Sequence, residues 1–169
     1  MKLFSKNKSF SINAAFCVHR GFDPTAAQCA FRLMQYADPK IHITVKIGDA
    51  LIDRARSIVA SQFLLNRKED VLLFIDDDVI YDPKDAIKIC KEVHDLDLGI
   101  VGGAYAMKKP GKTIFAIKPL DGVPIKFGKD GEITEVRCVS TGFMAIHRKV
   151  LESLAKDLPL CHPNDLKFY

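Results

Sequence analysis

Val71-Leu72-Leu73-Phe74-Ile75-Asp76-Asp77-Asp78 is the stretch from which the rest of the chain is read. Successive side chains of a strand point to opposite faces, so an unbroken apolar run suits a strand covered on both sides. The run stops at three adjacent carboxylates. In open α/β sheets, ligands lie just beyond the carboxyl ends of the strands, which is where this triplet would fall. Neighbouring carboxylates repel one another, so a cation is needed to offset them. Oxygen ligands of this kind suit Mg²⁺ or Mn²⁺. Asp76 and Asp78 share one side of an extended backbone and can reach the same ion. The plainer reading is a solvated acidic turn ahead of a helix capped by Asp82.

Working toward the N-terminus, residues 49–66 carry apolar positions at helical spacing. Ile52, Ala55, Val59 and Phe63 form the main face, widened by Leu51 and Ile58. Arg56 lies on this helix. Its guanidinium fork would suit diphosphate oxygens, or it is an ordinary solvent-facing arginine. Residues 41–47 are rich in β-branched side chains and predict a strand in which His42 is an edge or surface residue. Asp23-Pro24 predicts a helix start, with Asp as N-cap and Pro in the first turn. Ala26, Ala30, Leu33, Met34 and Ala37 give that helix one buried stripe, and Asp38-Pro39 ends it. Residues 14–18 predict the first strand, and residues 1–13 form a basic, flexible start with Lys2, Lys6 and Lys8.

Working toward the C-terminus, Asp82-Pro83 repeats the cap pairing and opens a third helix. Residues 98–101 predict a strand ending at Gly102-Gly103, which serves either turn chemistry or close ligand approach. Tyr105 offers an aromatic platform for a sugar or base, and Lys108 a phosphate partner, unless both are plain loop residues. Residues 113–139 change to short β-type segments punctuated by Asp121-Gly122 and Asp130-Gly131. Thr141-Gly142-Phe143 reads either as a pocket wall or, for Phe143, as core packing. A last strand at 143–146 precedes a helix at 148–155 with Val150, Leu151 and Leu154 inward. The order βαβαβαβ, followed by a β-rich stretch, predicts one α/β sandwich with a largely parallel central sheet and a mixed second half.

Composition narrows the classes. The chain has 169 residues, 48% hydrophobic and 27% charged, which fits a single globular domain over 14–169 and argues against disorder. Its net charge of +4 is dispersed, so no nucleic-acid partner is expected, whereas a nucleotide diphosphate suits the charge. The five cysteines include no Cys-x-x-Cys pair. Neither a disulfide framework nor a zinc site is predicted, and four of the five are expected as buried free thiols. No apolar run is long enough to span a bilayer, no signal-peptide core is present, and a cytoplasmic location is expected. No Ser-His-Asp order, P-loop or Gly-rich dinucleotide fingerprint occurs.

The segments Ile52-Asp53-Arg54-Ala55-Arg56, Phe63-Leu64, Leu73-Phe74-Ile75-Asp76-Asp77-Asp78, Gly103-Ala104-Tyr105 with Lys108, and Thr141-Gly142-Phe143-Met144-Ala145-Ile146-His147-Arg148 together resemble family 2-type inverting glycosyltransferases, in the style of short bacterial and viral members. The resemblance covers about residues 49–154. It implies a GT-A fold, Rossmann-like in its parallel half, and a UDP- or GDP-sugar donor. It implies a glycan, lipid or protein acceptor and a Mn²⁺ or Mg²⁺ ion. Asp76 and Asp78 match the Asp-x-Asp motif, the first facing donor ribose or sugar and the second holding the ion on the diphosphate, with Asp77 between them. Arg56 would approach the donor, and the strand-end loop Cys17-Val18-His19-Arg20 would lie near the nucleobase, with His19 and Arg20 as its donor-binding residues. Gly102, Gly103, Tyr105, Thr141, Gly142 and Phe143 would line the sugar and acceptor side. The family's later acidic segment, source of the general base, has no match before Tyr169, and the catalytic base is therefore unassigned. Three expectations stand open: a truncated C-terminal part, a base from elsewhere, or donor binding without transfer. His162 is a candidate later metal ligand. A metal-dependent phosphohydrolase or nucleotidyltransferase is the remaining rival. A phosphatase of the haloacid dehalogenase type would carry its Asp-x-Asp on the first strand, not the third.

Overall fold

The computed structural model describes residues 9–107, 111, 113–122, 124–125 and 133–161. The sequence-predicted Lys108, Asp130-Gly131, His162 and most of the basic start lie outside them. The elements in order are β1 (Ser11–Val18), α1 (Pro24–Met34), β2 (Lys40–Ile47), α2 (Ile52–Asn66), β3 (Val71–Asp76), α3 (Pro83–Asp95), β4 (Ile100–Gly102), β5 (Ile117–Pro119), β6 (Val136–Val139), β7 (Phe143–His147) and α4 (Arg148–Leu154). A five-stranded sheet runs β2-β1-β3-β7-β4, and β5 pairs with β6 separately. β1 is parallel to β2 and β3, whereas β7 is antiparallel to β3 and β4. This is the expected α/β architecture with a largely parallel centre.

One feature of the order departs from simple succession. β4 does not pair with β3, because β7 inserts between them. Phe143-Met144-Ala145-Ile146 is buried throughout, as a strand covered on both faces must be. Phe143 and Ala145 face the core cluster shared with α1 and α3, while Met144 and Ile146 face the cluster shared with α2. β4 carries two partly buried residues and an exposed Ile100, which fits the edge.

Helix starts follow local chemistry. Asp23 accepts from the Thr25 and Ala26 amides at 2.8 and 3.1 Å, and Asp82 accepts from Lys84 at 2.9 Å, each with Pro in the first turn. α2 begins at Ile52, three residues later than the helical spacing from residue 49 suggests. Gly48 takes φ +80°, and the Asp49 carboxylate reaches forward to the Leu51 amide at 3.1 Å. The same carboxylate, 4% exposed, grips the Arg54 guanidinium at 2.6 to 3.1 Å. That hydrogen-bonded pairing holds Asp49 below its ordinary value of 3.8. A lowered acid binds fewer protons folded than unfolded, so its stabilisation is present above pH 3.8 and is lost as pH falls through the folded value. Urea unfolding should therefore show wild type more stable than Asp49→Asn at neutral pH, with the gap narrowing below pH 3.8.

Several expected core positions are corrected. α1 ends at Met34, so Met34 is 55% exposed and Ala37 lies outside the helix and exposed. Leu51, Ile52 and Leu154 are 59%, 41% and 49% exposed, because each sits at a helix end that overhangs the sheet. Cys17, Cys29 and Cys90 are buried free thiols, but Cys138 is exposed on the two-stranded β5–β6 sheet and Cys161 is partly exposed, so three cysteines are buried rather than four. His42 lies on the edge strand β2, 3.4 Å from Glu69, as its alternation predicts. No described helix is long and apolar enough to cross a membrane.

Candidate functional site

The topology brings the sequence-predicted residues to one edge of the sheet. β1 connects through α1 to β2, and α2 then returns the chain past β1 to β3. The reversal falls between β1 and β3, where Cys17 pairs in register with Asp76. Such a switch point is where open α/β sheets hold ligands. The start of β7 and the end of β4 reach the same end of the sheet, bringing Thr141-Gly142 beside Asp76 and Gly102-Gly103 one strand further on.

Asp76 ends β3, and its amide donates to the Gly142 carbonyl at 2.8 Å. Its carboxylate is ion-paired to Arg56, whose side chain is 16% exposed against 31% for Asp76. One turn of α2 therefore delivers a guanidinium to the strand end. Arg56 sits at the acidic corner and already offsets its first charge. Asp77 turns the other way. Its carboxylate accepts from the His19 amide, and its carbonyl accepts from Asp23 at 3.0 Å, which ties the loop after β1 to the triplet. Burial, then the charges of Asp78 and Asp76, push the Asp77 carboxyl above its ordinary value. Asp78 is exposed at the rim, as are His19 and Arg20.

Across the mouth, the Tyr105 hydroxyl lies 2.5 Å from Ser140 Oγ. Gly142 separates this pair from the acid. A Cβ there would overlap the Tyr105 hydroxyl and come within 2.6 Å of Asp76 Oδ2. The Tyr105 ring carbon Cζ would also lie within 2.8 Å, and the phenol and the carboxylate are held by Ser140 and Arg56, but all three obstructing atoms belong to the ends of partly exposed side chains. Gly142→Ala should therefore cost about 1–2 kcal/mol while displacing the Asp76 carboxylate and the phenol from their positions. Its melting temperature checks this and should fall by only a few degrees.

Gly102, Gly103 and Phe143 have a different explanation. A Cβ on Gly102 would lie 2.6 Å from Val139 Cβ, and one on Gly103 would enter the Phe143 ring. Phe143 itself is 5% exposed and packs on Tyr81 with centroids 5.4 Å apart. These residues shape the site from beneath, and Phe143 belongs to the core. Thr141 is partly exposed at the turn. Sequence reading missed Ser140. Ser140 carries no signal beyond adjacency to Thr141. Cys17 is the register partner of Asp76, and burial raises its thiol above the ordinary value.

Among the described residues, no group of three or more His, Cys, Asp or Glu converges as a metal cage. The donors at this edge are carboxylate oxygens, which fit a hard cation that takes one or two carboxylates and completes its shell with phosphate oxygens and water. Asp78 and the free face of Asp76 would be its ligands. Cys161, the last described residue, donates its amide to Ser61 on α2 at 2.8 Å.

No protein-family model and no curated protein matches the chain. Among solved structures the chain is similar to A197 from STIV, with a TM-score of 0.57 and 20% identity. The match covers 83% of this chain and 66% of A197, so the chain spans just under two thirds of that protein. A likeness at this identity shows the fold alone.

Proposed function

We propose that the chain is a divalent-metal-dependent glycosyltransferase domain, of hexosyltransferase type, that moves a sugar from a nucleotide-diphosphate donor to an acceptor hydroxyl with inversion. The observation that supports this best is the Arg56–Asp76 pair beside the exposed Asp78 at the sheet's switch point. A cation and a guanidinium at one strand end are what a diphosphate needs. A bound Mn²⁺ or Mg²⁺ supplies positive charge that offsets the departing diphosphate. Asp78 holds that ion from the rim. Arg56 orients Asp76 and directs its remaining N–H groups toward donor oxygens. Tyr105, fixed by Ser140, flanks the sugar across Gly142. His19 and Arg20 border the nucleobase side, held there by Asp77.

A second reading is a domain that binds nucleotide sugar or glycan without turnover. It draws support from Asp49, a carboxylate of this end of the fold that is already committed to Arg54 and unsuited as a base. The experiment is donor hydrolysis and transfer with UDP- and GDP-sugars, with and without Mn²⁺, alongside calorimetric titration of the same donors. Metal-dependent turnover supports the transferase, and binding without turnover selects the second reading. Phosphate release from a simple phosphoester, with neither, would favour a phosphohydrolase.

A further inference from the structure

A second polar pocket lies on the α2 face of the sheet, toward the opposite end of the strands. It has a volume of about 290 Å³ and is lined by Asn13, Thr44, Gln62, Asn66 and Arg67, with Phe63 among its apolar walls. Asn13 lies on the same face of β1 as Ala15 and Cys17, which pack against α2. Cys17 lies four strand steps beyond Asn13, so the pocket stands roughly 13 Å from the acidic corner.

Asn13 is the unusual residue. It is 1% exposed, and among the described residues neither its side-chain nitrogen nor its oxygen has a hydrogen-bond partner. Buried amides are normally paired, because an unpaired one forfeits its hydration with no return. Exchanging the oxygen and nitrogen positions does not cure this, since both atoms lack partners. The Gln62 and Asn66 amides and the Thr44 hydroxyl also donate and accept, Arg67 only donates, and no carboxylate lines the pocket.

This lining selects a ligand class. A phosphate or carboxylate would satisfy donors and leave the Asn13 oxygen unpaired. A metal ion would satisfy acceptors and leave the nitrogen unpaired. Hydroxyl groups do both. The volume lies at the lower edge of the roughly 300–1,000 Å³ usual for ligand pockets, enough for one small ring. We infer that this pocket is a separate binding site for a small, neutral, polyhydroxylated ligand the size of a single sugar ring. The site is independent of the transferase reading, since none of its residues lies at the acidic corner.

The test is an NMR titration of the ¹⁵N-labelled full chain with glucose, galactose, mannose and N-acetylglucosamine. Shifts are expected at the Asn13 side-chain amide and at Thr44, Gln62, Asn66 and Arg67. The double variant Gln62→Ala/Asn66→Ala should weaken binding about tenfold and keep its melting temperature, as both side chains are at least partly exposed. Asn13→Leu should lose binding while melting at the same temperature or higher, because it removes an unpaired amide. If that variant does not fold, the double variant carries the test. Sugar concentrations on the order of tens of millimolar that leave these signals unmoved would overturn the site. So would shifts confined to the Asp76 corner, or equal binding by the double variant. A response to inorganic phosphate and to no sugar would overturn the ligand class.

Discussion

Asp78→Ala is expected to lower Mn²⁺-stimulated turnover of a nucleotide-diphosphate sugar by about a thousandfold, the scale of losing one principal electrostatic stabiliser of a leaving group. The choice of Asp78 over Asp76 follows from the pairing at the strand end. Asp76 neutralises Arg56, whose side chain is 16% exposed, so Asp76→Ala would leave a largely buried guanidinium without its carboxylate. Its loss of activity would mix unfolding with chemistry. Asp78 is exposed, and its removal relieves repulsion on Asp77, whose carboxyl its charge pushes up. The variant should therefore melt within a few degrees of wild type. Asp121→Ala is the matched control: its carboxylate is 90% exposed and pairs with Arg137, a residue of β6 in the separate two-stranded sheet. Equal metal-dependent turnover in wild type and Asp78→Ala would remove the triplet from the mechanism.

Gly103→Ala is expected to destabilise the fold by about 3 kcal/mol, the upper end of what overpacking costs. The new methyl would lie 2.6 Å from Phe143 Cε1 and closer still to its neighbour in the ring. That ring cannot retreat, since Phe143 is 5% exposed and packs at a tilt on Tyr81, which is 8% exposed. The backbone is fixed as well, because the Gly103 amide donates to the Phe143 carbonyl at 2.8 Å. A loss of this size corresponds to a fall in melting temperature of roughly 10 °C for a domain of this length. The contrast with Gly142→Ala is the informative part. There the obstructed atoms are the ends of partly exposed side chains, so the loss of stability should be smaller. Calorimetric melting of both variants would separate the two. A Gly103→Ala protein melting with wild type would mean that Phe143 is free to move.

The acidic corner was partly legible before any tertiary contact was known. A strand end is visible where an apolar run breaks, and the break at Asp76 locates the triplet without further information. Arg56 was a candidate only because its helix precedes that strand. Nothing in its spacing distinguishes it from Arg54, yet Arg54 pairs with Asp49 and Arg56 with Asp76. Ser140 was invisible because its relevance depends on a contact 35 residues apart in sequence, and the pairing of Cys17 with Asp76 depends on register. The Asn13 pocket was equally hidden: a polar residue inside an apolar strand gives no hint of whether a partner awaits it.

The alternation of strands and helices, the two Asp-Pro helix starts and the end of β3 were determined by the sequence alone. Each depends on neighbours within a turn or a pleat, where spacing and capping chemistry act directly. The tertiary structure decided that β7 lies between β3 and β4, which arginine meets which carboxylate, and which glycines are packing sites rather than pocket walls. Those outcomes depend on which distant apolar face can be covered on both sides, a competition among whole elements that local sequence does not encode.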